Sequence, residues 1–303
     1  MSVLNKKHFH YEEAAYAFVE SRVWPHGPVC PHCGEKERIG ELKGKSTRIG
    51  VRKCYACRKP FTVKVGTIFE SSHIKLHLWL QAIFLIASSK KGISSNQLHR
   101  TLGITLKSAW FLSHRIREAM RDGALDPMGG AGKVVEADET YFGPKREVKK
   151  RTIRGKPSHS SKRSVLALVE RGGKVRSFHV KDANKITVTK IVKENVERES
   201  RLHTDESRLY RDALYFVSSH ETVKHSTGEY VRGDVHINTA ENVFSVFKRG
   251  MKGTYQHCAE KHLHRYLAEF DFRYNERVAL GVDDVVRADR ILTSIKGKRL
   301  KYA

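Results

Sequence analysis

Apolar residues recur at helical spacing in the first 120 residues of the chain. Between His8 and Val23 they predict an amphipathic helix, which Pro25 stops. A longer stripe from Phe69 to Ser89 is typical of a helix that faces a core. Its apolar positions are Leu76, Trp79, Leu80, Ile83, Phe84 and Ala87.

A short helix, a turn and a second helix are predicted after this stripe. A serine caps the short helix, Gly103 makes the turn, and Thr105 caps a second helix that runs to Arg121. This order is typical of a helix-turn-helix, whose second helix enters the major groove of DNA. Helical hairpins that bind nothing are also common, so both interpretations stay open. The candidate DNA contacts are Lys107, Ser108, His114 and Arg115.

A second domain is predicted after a glycine-rich linker. Strands are expected at 134–142, 165–169, 174–180 and 202–205, with a strand or short helix at 213–217. Helices are expected near 186–199, 239–250, 259–275 and 282–294, and we expect the last two to close the domain. This order predicts an α/β (α+β) domain with a mixed sheet flanked by helices.

The first of these strands carries Asp138 at its centre. Acids are disfavoured in strands and costly to bury, so Asp138 requires a partner such as a metal ion. Asp205, at the end of a later strand, and Glu241, in the first turn of a helix, could complete a magnesium site. Two such ions would activate water and neutralise the leaving oxygen in phosphodiester cleavage, with Asp138 bridging both. Strand alternation places Glu136 on the face of Asp138, as the nearest competitor, and Glu139 on the other face.

The helix around Glu241 has a second interpretation. Asn238-x-x-Glu241 has the form of a capping box, in which Glu241 would satisfy backbone donors rather than a metal. Lys248 lies two turns beyond Glu241 on the same helical face, where its ammonium could hold a phosphate or a DNA end. Lys248 and Arg249 are therefore candidate DNA contacts.

The composition indicates a polyanionic partner. The 303 residues include 57 Lys and Arg against 33 Asp and Glu, a formal net charge of +24. Self-repulsion of this size favours a nucleic-acid-binding protein over a merely basic soluble one. Residues 144–163 hold nine Lys or Arg and one acid, and suit either phosphate contacts or a solvated loop. The candidate contacts there are Lys149, Lys150 and Arg151.

Four of the five cysteines form two CxxC pairs. Cys30 and Cys33 are separated from Cys54 and Cys57 by 20 residues, the spacing of a zinc ribbon in which four thiolates hold one structural zinc ion. Incidental reduced or redox-active CxxC motifs are the alternative. Cys258 is most simply an idle thiol.

The localisation that we expect is cytoplasmic. No apolar segment typical of a secretory signal follows Met1, and the most apolar run, 76–87, is too short to span a bilayer. Reduced CxxC pairs suit a reducing compartment. We therefore predict a soluble protein with no membrane partner.

Four stretches of the chain resemble one known family. They are VEADETYFG at 135–143, HTDE at 203–206, HINTAENVFSVFKRG at 236–250 and KHLHRYLAEFDFRYN at 261–275. They are similar to the DDE-type transposases of the bacterial insertion-sequence group that contains the ISXO2-like domain. Those proteins carry a similar N-terminal zinc ribbon, so the resemblance covers nearly the whole chain.

This resemblance implies a catalytic domain with the RNase H-like fold and a dependence on Mg²⁺. Water would free a 3′-OH at the element end, and that hydroxyl would attack target DNA. The separation of 36 residues between Asp205 and Glu241 fits the short spacing usual in these enzymes. The family is also described with Asn as the third ligand, so Asn238 is an alternative. We prefer Glu241, because an anionic oxygen binds Mg²⁺ better than an amide.

The predicted partners are double-stranded DNA, as element terminal repeats and target, and further copies of the chain in a homodimer or higher synaptic oligomer. Two rival functions remain: a DNA-binding regulator whose second domain is catalytically silent, and a branched-DNA nuclease that does not join strands. The predicted segments are an N-terminal helix (1–27), a zinc ribbon (28–66), a helical DNA-binding segment (67–122), a linker (123–133), the catalytic domain (134–280) and a C-terminal helix with a basic tail (281–303).

Overall fold

The chain forms two compact units in the computed structural model. One unit combines Met1–Arg121 with Glu276–Ala303, and the other is Asp122–Asn275. No helix among the described residues combines the length and apolar character needed to cross a membrane. The structure describes residues 2–121, 123, 126–144, 152–153, 156–157 and 162–300.

The helices and strands are numbered here in chain order. The helices are α1 (Glu12–Val23), α2 (Leu76–Ser88), α3 (Ser95–Leu102), α4 (Leu106–Ala119), α5 (Lys185–Asn195), α6 (Asn238–Gly250), α7 (Leu263–Asn275) and α8 (Asp284–Thr293). The strands are β1 (Ile39–Glu41), β2 (Arg52–Cys54), β3 (Pro60–Phe61), β4 (Val134–Pro144), β5 (Thr152–Ile153), β6 (Lys156–Pro157), β7 (Lys162–Glu170), β8 (Val175–Val180), β9 (Arg201–Asp205) and β10 (Ser219–Val223).

In the first unit, α3 and α4 form the predicted pair of capped helices. The Ser94 hydroxyl accepts a hydrogen bond from the backbone N–H of Gln97 at 3.1 Å and caps α3. Gly103 ends that helix in the left-handed conformation, with φ at 63°. The Thr105 hydroxyl then caps α4 by accepting from the N–H of Ser108 at 3.2 Å. The local chemistry of these residues therefore places both helix boundaries.

Helix α8 belongs to the first unit rather than to the second. The Arg22 guanidinium in α1 donates to the Asp289 carboxylate at 2.7 Å, and the buried Arg287 donates to the Ala87 carbonyl in α2 at 3.1 Å. The expectation that both final helices close the second domain is therefore wrong for α8. An apolar stripe shows that a helix covers a core, but it does not show which core.

The second unit is built on a five-stranded mixed sheet with strand order β10-β9-β4-β7-β8. Strands β4, β7 and β8 pair antiparallel, whereas β9 runs parallel to both β4 and β10. An antiparallel meander extended by two parallel strands is the arrangement of the RNase H-like fold, which the resemblance implied. The fold class is thereby confirmed.

Two apolar cores cover opposite faces of this sheet. Side chains of α6 and α7 pack on one face, against Val165, Ala167 and Val169 of β7. Side chains of α5 and of the 3-10 helix Arg208–Phe216 pack on the other face, against Val135 and its alternating neighbours. The strand or short helix expected at 213–217 is this 3-10 helix. Strand β10 was not predicted, because its residues Ser219–Val223 are mostly polar.

Candidate active site and metal centre

The strand register places Asp138 beside Asp205. Parallel pairing of β4 with β9 aligns Val134 with Arg201 and Glu136 with His203. Continued by two residues, this register sets Asp138 level with Asp205, and neighbouring strands lie about 4.8 Å apart. Strand alternation directs both side chains to the face that α6 covers.

Helix α6 brings Glu241 to the same place. Asp138 and Glu241 line an open cleft of about 430 Å³ in the second unit, and Asn238 is not among its lining residues. The cleft is also lined by three basic side chains, from the end of α6 and just beyond it. The residues lining the cleft are Asp138, Glu139, Thr140, Glu241, Phe244, Ser245, Lys248, Arg249 and Lys252.

The cleft holds negative charge at a high energetic cost. Burial, the neighbouring Glu139 carboxylate and then Asp205 raise the pKa of Asp138 to about 8. Burial also raises the pKa of Asp205. A set of hard oxygen donors with disfavoured charge is the type of site that a divalent cation stabilises.

The capping-box interpretation of Glu241 does not hold. The N-cap residue of α6 is Ile237, Asn238 is the first helical residue, and the side chain of Glu241 is about half exposed at 46%. The carboxylate of Glu136 accepts the N–H groups of Thr239 and Ala240 at 2.8 and 3.0 Å instead. The side chain of Glu241 therefore remains available to the cleft.

Lys248 and Arg249 stand near the far end of α6. Lys248 is half-buried, and burial lowers the pKa of its ammonium while Asp138 acts to raise it. The nearby Lys252 and Lys162 lower the pKa of Lys248 further. Arg249 is exposed, and its Nε donates to the Ser245 carbonyl at 3.3 Å. These basic side chains can therefore attract an anion such as a phosphate.

Two residues near the cleft were missed as candidates. Glu139 does lie on the opposite face of β4, but it still lines the cleft, and the Tyr210 hydroxyl donates to its carboxylate at 2.7 Å. His225, on a short turn after β10, places its Nδ1 atom 3.9 Å from a carboxylate oxygen of Glu241. Glu139 lies within the VEADETYFG stretch but was set aside because it is on the other face of β4, and no motif marks His225, whose place depends on contacts between distant parts of the chain.

Of the four DNA contacts predicted on α4, two lie at its start and two are buried. Lys107 is exposed and Ser108 half-buried at the start of α4. His114 and Arg115 are buried, with exposed fractions of 0% and 6%, and Arg115 donates to the carbonyls of Ile68 and Glu70 at 2.8 and 2.7 Å. The prediction that His114 and Arg115 contact DNA is therefore wrong, because this part of α4 faces the core of its unit. The other basic candidates, Lys149, Lys150 and Arg151, lie outside the described residues.

The four paired cysteines converge on one point in the first unit. The sulfurs of Cys30 and Cys57 are 3.7 Å apart, those of Cys33 and Cys54 are 3.6 Å apart, and all four lie within 4.8 Å of one another. Tetrahedral zinc with bonds of about 2.3 Å requires sulfurs about 3.8 Å apart, so the cluster fits this ion. The backbone N–H of Cys57 lowers the pKa of the Cys54 thiol to about 7. Despite a backbone hydrogen bond at Glu35, burial and the three neighbouring thiols raise the pKa of the Cys33 thiol to about 12.

The residues after the two CxxC pairs complete the turns. Gly34 follows the first pair with φ at 79°, and Arg58 follows the second pair with φ at 58°. Both positions take the left-handed conformation, which glycine adopts without strain and arginine does not. The two knuckles therefore have matching backbone shapes but different backbone strain.

Known proteins match both units of the chain. Residues 129–275 match the ISXO2-like transposase domain, and residues 11–60 match the transposase zinc-ribbon domain. A protein of Halobacterium salinarum, named as an uncharacterized protein in transposable element ISH50, is 28% identical over 267 residues, covering 82% of this chain and 86% of that protein.

Solved structures are more distant. The Mos1 strand transfer complex aligns at 13% identity with a TM-score of 0.29 and covers 70% of this chain and 72% of that chain. A simian T-cell lymphotropic virus intasome, in complex with PP2A regulatory subunit B56 gamma, aligns at 14% identity with a TM-score of 0.29 and covers 57% of this chain and 63% of that chain. The two sequence matches, in order along one chain, identify the protein: it belongs to the family of ISXO2-like transposases with an N-terminal zinc ribbon.

Proposed function

We propose that the second unit cuts DNA at the ends of an insertion sequence and joins the freed 3′-OH to target DNA. The observation that carries this proposal is that Asp138 and Glu241 line one open cleft with Lys248 and Arg249, while the strand register sets Asp205 beside Asp138. Family membership supports the reaction class.

The three acids would hold two Mg²⁺ ions, with Asp138 between the other two. Such ions, when bound, supply an activated water and neutralise charge on the leaving oxygen. Asp138 and Asp205 are held by backbone contacts, since their carboxylates accept the N–H groups of Glu139 and Ser207 at 2.8 and 3.0 Å. The more exposed Glu241 would close the set from α6.

The basic residues would place the DNA. Lys248 is close enough to Asp138 to sense its charge, so its ammonium would hold a phosphate next to the reacting bond. Arg249 would follow the backbone of the same strand, while Lys107 and Ser108 at the start of α4 would contact element-end DNA. Lys149, Lys150 and Arg151 remain candidates from sequence. Two ends must be processed together, so the active form would be at least a dimer.

The zinc ribbon would act as a structural module for DNA recognition. Four thiolates around one zinc ion leave no coordination position for a substrate. Zinc at Cys30, Cys33, Cys54 and Cys57 would therefore stabilise the fold and leave the reaction to the carboxylate cleft.

The test is cleavage of supercoiled plasmid that carries candidate element ends, with Mg²⁺ or Mn²⁺. We expect Asp138→Ala, Asp205→Ala and Glu241→Ala each to lose cleavage while DNA binding persists. Glu194→Ala changes an exposed acid of α5 and serves as the matched control. Joined products in a strand-transfer assay would exclude the branched-DNA nuclease. A wild-type protein that binds DNA but never cuts it would leave the DNA-binding regulator as the better assignment.

A further inference from the structure

Glu136 is an acidic residue without any exposed surface. It lies two residues before Asp138 on β4, and its side chain is 0% exposed. A carboxylate in such a place is costly unless charge and hydrogen bonds compensate for it. The groups that hydrogen-bond to Glu136 therefore show which parts of the fold it connects.

The carboxylate of Glu136 caps helix α6 from a neighbouring strand. Its Oε2 atom accepts the backbone N–H groups of Thr239 and Ala240 at 2.8 and 3.0 Å, and its Oε1 atom accepts the Thr239 hydroxyl at 2.9 Å. The helix has Ile237 at its N-cap, a residue that has no polar side chain to do this. The positive end of α6 is thus tied directly to β4.

Arg171 completes this connection from the turn between β7 and β8. Its Nε and Nη2 atoms donate to Glu136 Oε1 at 3.0 and 2.9 Å. The same guanidinium donates to the carbonyls of Asp234 and His236, at 2.8 and 3.1 Å, in the segment that leads into α6. Five donors surround one carboxylate, and they come from the β7–β8 turn and the start of α6.

We propose that Glu136 is a positioning residue: it fixes α6 on β4 and so sets the distance of Glu241 and Lys248 from Asp138. This inference rests on the proposed function of the cleft. Glu136 touches α6 one and two residues before Glu241, and it stands two residues from Asp138 on a paired strand. Glu136 therefore links the strand that carries Asp138 to the helix that carries Glu241. A displacement of about 1 Å at a reacting centre can cost about 100-fold in rate.

Two variants test the link. Glu136→Gln keeps the size of the side chain but places an amide N–H₂ among groups that are themselves donors. Glu136→Asp shortens the side chain by one C–C bond, so the carboxylate lies about 1.5 Å further from α6. Glu170→Gln is the matched control. Glu170 also accepts a backbone N–H and a lysine, from Gly129 and Lys133 at 3.2 and 2.9 Å, but it holds no part of α6.

The measurement is single-turnover DNA cleavage at saturating DNA and Mg²⁺, together with calorimetric titration of Mn²⁺ into the full-length protein. We expect the cleavage rate constant to fall about 10- to 100-fold in both Glu136 variants. We also expect Mn²⁺ affinity to weaken several-fold, and Glu170→Gln to match the wild type in both. Metal-free DNA affinity should not change, since Glu136 is remote from solvent.

The rate constant separates positioning from general instability. A merely structural role would reduce the fraction of active protein, and hence the reaction amplitude, but leave the rate constant and the Mn²⁺ affinity of the folded fraction unchanged. That result would overturn the inference. If the wild type binds Mn²⁺ but cuts no DNA, the proposed function fails, and the loss of Mn²⁺ affinity in the variants still decides the role of Glu136. If the wild type does not bind Mn²⁺ either, both proposals fail.

Discussion

The cysteine cluster and the carboxylate cluster are two candidate metal sites of opposite design. The four cysteines lie within 28 residues of sequence and form a compact cluster, with two pairs of sulfurs 3.6 and 3.7 Å apart and all four within 4.8 Å. The carboxylates come from two strands and a helix, spread over about a hundred residues, and Asp138 and Glu241 line an open cleft. A closed site suits a stabilising ion, whereas an open site leaves positions for water and substrate.

The clusters also differ in what the ion does for stability. The ribbon has only a small apolar core of its own, so binding of an ion to its thiolates would supply much of its folding free energy. The second unit has two apolar cores that hold its sheet without help from a metal. The ribbon is therefore expected to depend on its ion for folding, and the carboxylate unit only for activity.

Removal of zinc should have the largest effect. Structural zinc contributes apparent binding free energies of roughly 10 kcal/mol or more in small modules. We expect a strong chelator, or Cys33→Ser, to abolish hydrogen-exchange protection in the ribbon while the sheet of the second unit keeps its protection. Cys258→Ser, at the lone cysteine, is the control. Protection that persists in the metal-free ribbon would contradict the assignment of a structural ion.

Neutralising Asp138 should stabilise the metal-free protein. The folded pKa of about 8 lies above the ordinary value of 3.8, so wild-type stability falls as the pH rises between these values. Asp138→Asn avoids this loss and should raise the free energy of unfolding by about 4 kcal/mol at pH 7, but not at pH 4. Thermal unfolding at both pH values measures the difference. Glu241→Gln, at an exposed carboxylate, should change stability less, and Mg²⁺ should narrow the gap between Asp138→Asn and the wild type.

Truncating Lys248 should affect DNA binding more than stability. One phosphate contact contributes about 1 kcal/mol, and its loss should reduce the slope of log K against log salt by about one. Fluorescence anisotropy with element-end DNA at several salt concentrations measures both quantities for Lys248→Ala. Lys190→Ala, on the exposed side of α5, should leave them unchanged. Equal slopes for the two variants would remove Lys248 from the DNA interface.

The smallest effect is expected at the second knuckle. Arg58 holds a left-handed conformation that glycine adopts without strain, so Arg58→Gly should stabilise the zinc-loaded ribbon by about 0.5 kcal/mol. Gly34→Ala makes the opposite change at the matching position after the first CxxC pair. A Cβ there would meet nothing within 4 Å, so its cost of about 1 kcal/mol should be backbone strain alone. Thermal unfolding of the zinc-loaded protein measures both effects. The prediction requires that Arg58→Gly raises the free energy of unfolding and that Gly34→Ala lowers it.

The sequence predicted the parts that depend on local patterns. The CxxC spacing was enough to group the four cysteines, and the Ser94, Gly103 and Thr105 signals were enough to place α3 and α4. The order of strands and helices, with the family resemblance, was enough to predict the sheet. These features depend on residues close in sequence or on regular periodicity.

Contacts between distant segments were not predictable in this way. The capping of α6 by Glu136 joins residues about a hundred positions apart, so the local Asn238-x-x-Glu241 pattern suggested the wrong cap. Helical periodicity could not show that Arg115 faces a core, because a long polar side chain can bury its stem and donate to carbonyls. The roles of Asp138, Asp205 and Glu241 remain predictions for the experiments above.

The first unit is assembled from both ends of the chain, and this has a consequence for folding during synthesis. Arg22 and Ala87 emerge from the ribosome well before their partners in α8, Asp289 and Arg287. At about 5–20 residues per second, roughly 15 to 50 seconds pass between the synthesis of Arg22 and that of Asp289. All of residues 122–275 are made in that interval. The sheet unit can therefore finish folding first, and a chain whose translation stopped near residue 275 would keep its carboxylates while leaving the first unit without α8.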